Sequence, residues 1–297
     1  MAPRDKKSRK HNASRSKPEW RVRMLSVNTN VGAMVALQYL NQTETQLQQT
    51  QAHVNSGLKV AGPTDNGAVF AIAQNMRADV GGYQAVSDSL NRGVSTVDVA
   101  ISAGQSISDL LNQMKAKALA ASDSSLDTAS RQALNQDFIA LRDQISTIVN
   151  NASFNGTNLV DGSTANIQAL ASADGTKKIT AAGQTLSLGG SIVGVASTST
   201  VSTQTRASTM VATVGASITA VNASLAKLAS SVKKFTIQND FVSKLVDTLN
   251  QGIGNLVDAN MAVESAQLQS LQVKQQLGVQ ALSIANSAPS IVLSLFH

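Results

Sequence analysis

The feature that most constrains this chain is a hydrophobic repeat of unusual length. From Val69 onward, apolar or small residues recur at alternating steps of three and four for some fifty residues. One register reads Val69, Met76, Tyr83, Leu90, Val97, Gly104, Leu111 and Ala118; the other reads Ile72, Val86, Ala100, Ile107, Met114 and Ala121, interrupted at Asp79 and Gly93. Such spacing makes a coiled-coil-like seam along one helix. At about 1.5 Å per residue the segment is a rod of roughly 75 Å, far longer than an ordinary globular helix.

A second seam of similar length follows at Val214, Ile218, Val221, Leu225, Leu228, Val232, Phe235, Asn239, Val242, Val246, Leu249, Ile253 and Leu256. The "GIG" at 252–254 is expected to interrupt it, and the phase then shifts to Val257, Met261, Leu268, Leu271 and Leu282. Between the rods, "SDSSLDT" (122–128) supplies helix-start residues, and a shorter helix carries Leu134, Phe138, Leu141, Ile145 and Ile148 before the turn-rich "NNASFNGTNLVDGS". Residues 166–195 hold Asp-Gly, Ala-Gly and Gly-Gly between short alternating segments, which predicts two or three strands in hairpins. The Ser/Thr-rich stretch 196–209 reads as a flexible connector.

Composition agrees with long helices rather than a ring-filled core: six Phe, two Tyr and one Trp in 297 residues. The fold class expected is mainly α, an elongated antiparallel helical rod in a coiled-coil-like bundle, with a small β-hairpin region in the middle. The terminal segments, 27–58 and 257–288, are polar and weakly seamed, and are expected to fold by completing one another or copies of themselves.

The net charge of +6 and pI of about 9.7 point toward nucleic acid only until the charges are located. Arg4, Lys6, Lys7, Arg9, Lys10, Arg15, Lys17, Arg21 and Arg23 crowd the first 23 residues, leaving 15 basic and 16 acidic residues in 24–297. The body therefore offers no phosphate-tracking surface, and no nucleic-acid partner is expected. Residues 1–23 read as a basic, disordered extension. With no cysteine, disulfide and thiolate chemistry are excluded. Apolar runs such as "AMVAL" (33–37) last only a few residues, so no transmembrane helix is expected and no membrane partner. No apolar h-region follows the basic start, so no cleavable secretory signal is expected. The three histidines (His11, His53, His297) cannot be combined into a metal-spaced cluster, and neither a nucleophile elbow nor a P-loop occurs. No enzyme, cofactor or metal is expected.

Several stretches together resemble bacterial flagellin: "MLSVNTNVGAMVALQYLN" from Met24, "SGLKV" at 56–60, "FNGTNLVDGS" at 154–163, "GIGNLVDANMAVESAQLQSLQ" at 252–272 and, most specifically, the tail "SLQVKQQLGVQALSIANSAPSIVLSLFH" at 270–297. The stretch at 252–272 is similar to short alphaproteobacterial flagellins of the Caulobacter kind, and the tail to the family's C-terminal tail almost throughout. The resemblance begins at Met24, so 1–23 are expected to be a mis-assigned start. It implies a structural subunit that polymerises into the bacterial flagellar filament for swimming motility, with a hook-filament junction protein as the alternative.

By the same resemblance, 24–58 and 257–297 would be paired terminal helices lining the filament's inner tube. Residues 66–165 and 206–255 would form the surrounding rod domain, and 166–205 a short exposed insert. The implied partners are copies of itself or other flagellins, the flagellar type III export apparatus, the filament cap and the hook-junction proteins; the implied location is outside the cell. Polymerisation contacts are expected at Leu277, Val279, Leu282, Ile284, Ile291, Leu293, Leu295 and Phe296, with Val27, Met34, Leu37, Leu40 and Leu47 opposite. O-linked sugars, common in the family, have candidates by exposure in Ser197, Thr198, Ser199, Thr200, Ser202 and Thr203.

Overall fold

A computed structural model of the protein describes residues 29–293, with side chains to Ser287. The extension 1–23, the expected start at Met24, and Val27, Leu295 and Phe296 lie outside the described residues. The architecture is mainly α. The described elements are α1 (Val31–Ser56), α2 (Pro63–Ala121), α3 (Thr128–Asn151), β1 (Ser153–Phe154), β2 (Thr157–Asn158), β3 (Asn166–Leu170), β4 (Lys178–Ala182), α4 (Gln204–Val257) and α5 (Met261–Leu293). They divide into two compact units, one made by the residues up to Leu58 with those from Ala259 on, the other by Lys59–Asp258.

In the second unit α2 and α4 run antiparallel with their seams face to face. The buried residues of α2 repeat every seven: Leu90, Val97, Gly104, Leu111 and Ala118 form one row, and Val86, Gly93, Ala100, Ile107, Met114 and Ala121 the other. On α4, Ala207, Val214, Val221, Leu228, Phe235 and Val242 form one buried row and Ser217, Ser224 and Ser231 a second. Each serine hydroxyl donates to the carbonyl four residues back in its own helix (2.8, 2.9 and 3.1 Å), so the core contains no orphaned hydroxyl there. The glycines of α2 receive the large residues of α4: a Cβ on Gly93 would stand 3.1 Å from the Phe235 ring, and one on Gly104 2.7 Å from Leu225 Cδ2. The polar step at Asn239 is answered across the seam, where Ser87 donates to its Oδ1 (2.6 Å) and its Nδ2 donates to Asn91 (2.9 Å).

The turn after α2 is closed by Arg131, whose guanidinium donates to the carbonyls of Ala121, Asp123 and Leu126. α3 then folds back on α2, burying Phe138, Ile145 and Val149, with Lys117 and Asp137 paired at 2.7 Å. Asn155 and Gly156 take positive φ (47° and 77°) in the tight turn between β1 and β2, the backbone a two-residue hairpin requires. Asn158 fastens this hairpin: buried, it donates to the Val149 carbonyl at 2.7 Å and accepts from the N–H groups of Val160 and Asp161. β3 and β4 pair antiparallel from Asn166↔Ala182 to Leu170↔Lys178. The hairpin lies over both long helices, Ser89 accepting from Leu170 N–H and Gln238 donating to the Ala171 carbonyl.

Of the two or three strands expected in 166–195 two form, as the single hairpin β3–β4, and residues 183–195 run as irregular chain with one bridge, Leu188 to Val193. Three expectations need correcting. The stretch 196–209 is tied down rather than free: Val201 and Ala207 are buried, Asn135 accepts from Val201 N–H at 2.7 Å, Arg142 donates to the Ser199 carbonyl, and α4 begins at Gln204. "GIG" does not end the second rod; Gly252 and Gly254 are helical, and the break falls after Val257. Ile72 leaves the seam at 51% exposure and Ala73 is buried instead.

The membrane expectation is also refined, since α4 has enough length and mean hydropathy (1.3 over 18 residues) to cross a bilayer. Its apolar row is spent on α2, Val214, Val221, Leu228 and Phe235 being fully buried.

Candidate functional site

The first unit is a pair of antiparallel helices, α1 and α5. Asn30 caps α1 by accepting from Ala33 N–H at 3.0 Å, and its amide nitrogen donates to the Ala285 carbonyl at 2.6 Å, so one side chain both starts α1 and holds α5 beside it. Leu40 sits over Gly278, where a Cβ would come within 3.2 Å of Leu40 Cδ1. Near the other end His53 Nδ1 lies 3.2 Å from Glu264 Oε1, both side chains mostly buried, and His53 Nε2 is buried with no hydrogen-bond partner among the described residues. α1 stops at Gly57, left-handed at φ 72°, whose N–H caps the His53 carbonyl and whose carbonyl accepts from Ala259 N–H. Asn260 starts α5 by accepting from Ala262 and Val263 N–H. The two polar termini thus complete one another within a single chain.

Little is buried between them: Leu40, Leu47 and Thr50 of α1 with Leu271 of α5. The outside carries much more apolar surface than the inside. Met34 is 62% exposed and Ile284 70%, and Leu37, Leu277 and Val279 are exposed with them. Leu282 is half-buried, and Ile291 and Leu293 fall in the last turns of α5. Among the described positions the expected polymerisation residues therefore divide, Leu40 and Leu47 serving the pair itself and Met34, Leu37, Leu277, Val279 and Ile284 pointing away from it.

Sequence reasoning passed over Val31, Val35, Tyr39, Val263 and Val273, which are equally exposed. Their signal was present: Val31, Val35 and Tyr39 step by four along one face of α1. α1 has Glu44 as its only acidic residue and no Lys or Arg, and α5 has only Glu264 and Lys274. An apolar face with almost no charge is built to associate, each large side chain contributing roughly 1.5–3 kcal/mol on full burial.

Of the hydroxyl candidates, Ser197, Thr198 and Thr203 are exposed, whereas Ser199, Thr200 and Ser202 are half-buried. Thr203 caps α4 by accepting from Arg206 N–H, and the Arg206 guanidinium donates to Ser202 and Thr200. Thr198, Ser199, Thr200 and Arg206 border an open cavity of about 420 Å³. Among the described residues no three His, Cys, Asp or Glu side chains are placed to share a metal ion.

Comparison with known sequences places these elements in context. Residues 27–165 match the bacterial flagellin N-terminal helical region, and residues 211–296 match the bacterial flagellin C-terminal helical region. The chain is 51% identical over 272 residues to flagellin FljM of Caulobacter vibrioides, covering 92% of this chain and 98% of that protein, and equally to flagellin FljK of the same organism over the same shares. It is 34% identical to a flagellin of Brucella melitensis, over 92% of this chain and all of that protein.

Proposed function

From the premise that this chain belongs to the bacterial flagellin family and is a structural subunit of the flagellar filament, we propose how its two units divide that work. The chain assembles with copies of itself into a helical filament. The interface that polymerises it is the outer apolar face of the α1–α5 pair, with Met34, Leu37, Leu277, Val279 and Ile284 on it and Leu282 at its edge; Val27, Ile291, Leu293, Leu295 and Phe296 are proposed as further polymerisation residues from their sequence. Leu40 and Leu47 hold the two helices together beneath that face. The observation carrying this reading is the excess of exposed apolar side chains on two helices that have almost no charge.

In this proposal the terminal pair lines the filament's inner tube, the α2–α4 rod domain forms the layer around it, and 166–205 faces outward. A heterologous contact that repeats without closing gives a tube of indefinite length. The subunit leaves through the flagellar type III export apparatus, meets the cap and hook-junction proteins during assembly, and works outside the cell as a mechanical part without catalysis. Ser197, Thr198 and Thr203 are the hydroxyls most open to O-linked sugars.

The test is truncation. Deleting residues 278–297 is expected to leave a soluble chain whose α2–α4 unit keeps its helical circular dichroism and cooperative melt, and which forms no filaments by electron microscopy. Filaments grown from that truncated chain would refute the assignment.

A further inference from the structure

Two exposed charged surfaces of the second unit are uncompensated within the chain. α4 carries no acidic residue from Gln204 to Asn239, while Lys227, Lys233 and Lys234 all lie on its exposed side. β4 runs beside it with Lys178, Thr180 and Ala182 on its exposed face by simple alternation. Between strand and helix lies an open groove of about 460 Å³ lined in part by Thr180, Gln184, Lys227, Ser230 and Lys234.

On α2 the steps of seven, three, four and seven from Asp88 through Ser95, Asp98 and Ser102 to Asp109 trace one stripe that faces away from the buried rows; the three aspartates are exposed, and Arg92 stands on the flanking row. Among the described residues neither these carboxylates nor the groove lysines take part in an ion pair.

We propose that in the filament the lysine-lined groove between β4 and α4 of one copy receives the aspartate stripe of α2 from a neighbouring copy. The proposal rests on the filament reading above and names a second contact for it, polar where the α1–α5 face is apolar. The two surfaces sit on different elements, so the contact is heterologous and repeats from copy to copy. Each exposed pair is weak and screened by salt. The pairs act as a set, once per subunit, and set register and partner choice more than bulk affinity.

Charge reversal tests this. Purified full-length chain would be polymerised at low salt as wild type, as K227E/K234E, as D98K/D109K and as the combination of all four changes, and the critical concentration read by sedimentation. All four positions are exposed, so each variant is expected to keep the wild-type helical circular dichroism. Each double variant is expected to raise the critical concentration about ten-fold, and the combined variant to return it to within about two-fold of wild type. In about 1 M salt the differences are expected to shrink. Two results overturn the pairing: K227E/K234E polymerising like wild type, or the combined variant doing no better than the double variants. The first result is what a groove that takes an acidic polysaccharide instead would give, since the purified assay contains none. A wild-type chain that forms no filament at all would instead remove the filament reading, which separates the two failures.

Discussion

Gly104 shows how narrowly the rod is built at the scale of one residue. A methyl group there would meet Leu225 Cδ2 at 2.7 Å, and Leu186 stands on the other side. G104A is expected to cost up to about 2 kcal/mol net, overpacking against Leu225 less the roughly 1 kcal/mol that alanine gains over glycine in a helix, and to lower the melting temperature by a few degrees, read by thermal circular dichroism. Trimming Leu225 at the same time should return part of that loss. Gly104 was legible in the sequence as a member of the seam, although its reason, room for a leucine from the opposite helix, was not. The buried serines at 217, 224 and 231 were passed over entirely. A hydroxyl looks polar in a hydropathy pattern, yet one that donates to its own i−4 carbonyl is small and satisfied, and it fits where a larger apolar residue would not.

Helix ends set the behaviour of whole elements. Asp127 starts α3, and its carboxyl is held below the usual value of 3.8 by hydrogen bonds from the Ser130 side chain and then the Ser130 N–H. A depressed carboxyl stabilises the folded state above its unfolded pKa and loses that contribution as the pH falls through the lower, folded value. The amides of Ser130 and Arg131 are therefore expected to lose exchange protection when the pH is taken from about 5 to about 2, before the core of α3 does. D127N, which keeps a capping side chain without a titrating group, should flatten that pH dependence.

Elements with a period or a sharp local signal were readable in advance: both long seams, the start signal before α3 and the Asp-Gly turn between β3 and β4. The chain from 183 to 203 was not, because Leu186, Val193, Val195 and Val201 are buried from irregular backbone and share neither a helical nor a strand period. The run through Gly252 and Gly254 was misjudged for the opposite reason. Each glycine costs a helix only about 1 kcal/mol, which the burial of Ile253 and Val257 offsets.

Across the molecule as a whole the two units spend their apolar residues differently. The second holds the continuous core from Val86 to Val242, with α3 and both hairpins resting on it. The first keeps little inside and most of its large side chains outside. Of the candidate interface, its helical character and several members could be read from sequence. Which residues face inward could not, because a seam this dilute leaves both faces of each helix looking alike.

The shortage of charge on α1 and α5 has a practical consequence. Trypsin cuts after lysine and arginine; α1 offers it no bond at all, and α5 offers one, after Lys274, which is exposed. With few buried contacts to hold α5, that bond is expected to be cut quickly in dissolved subunits and slowly once they are joined, releasing a single C-terminal peptide that starts at Gln275. Mass spectrometry of that peptide against time would make one lysine a counter of how much of the protein is still unassembled.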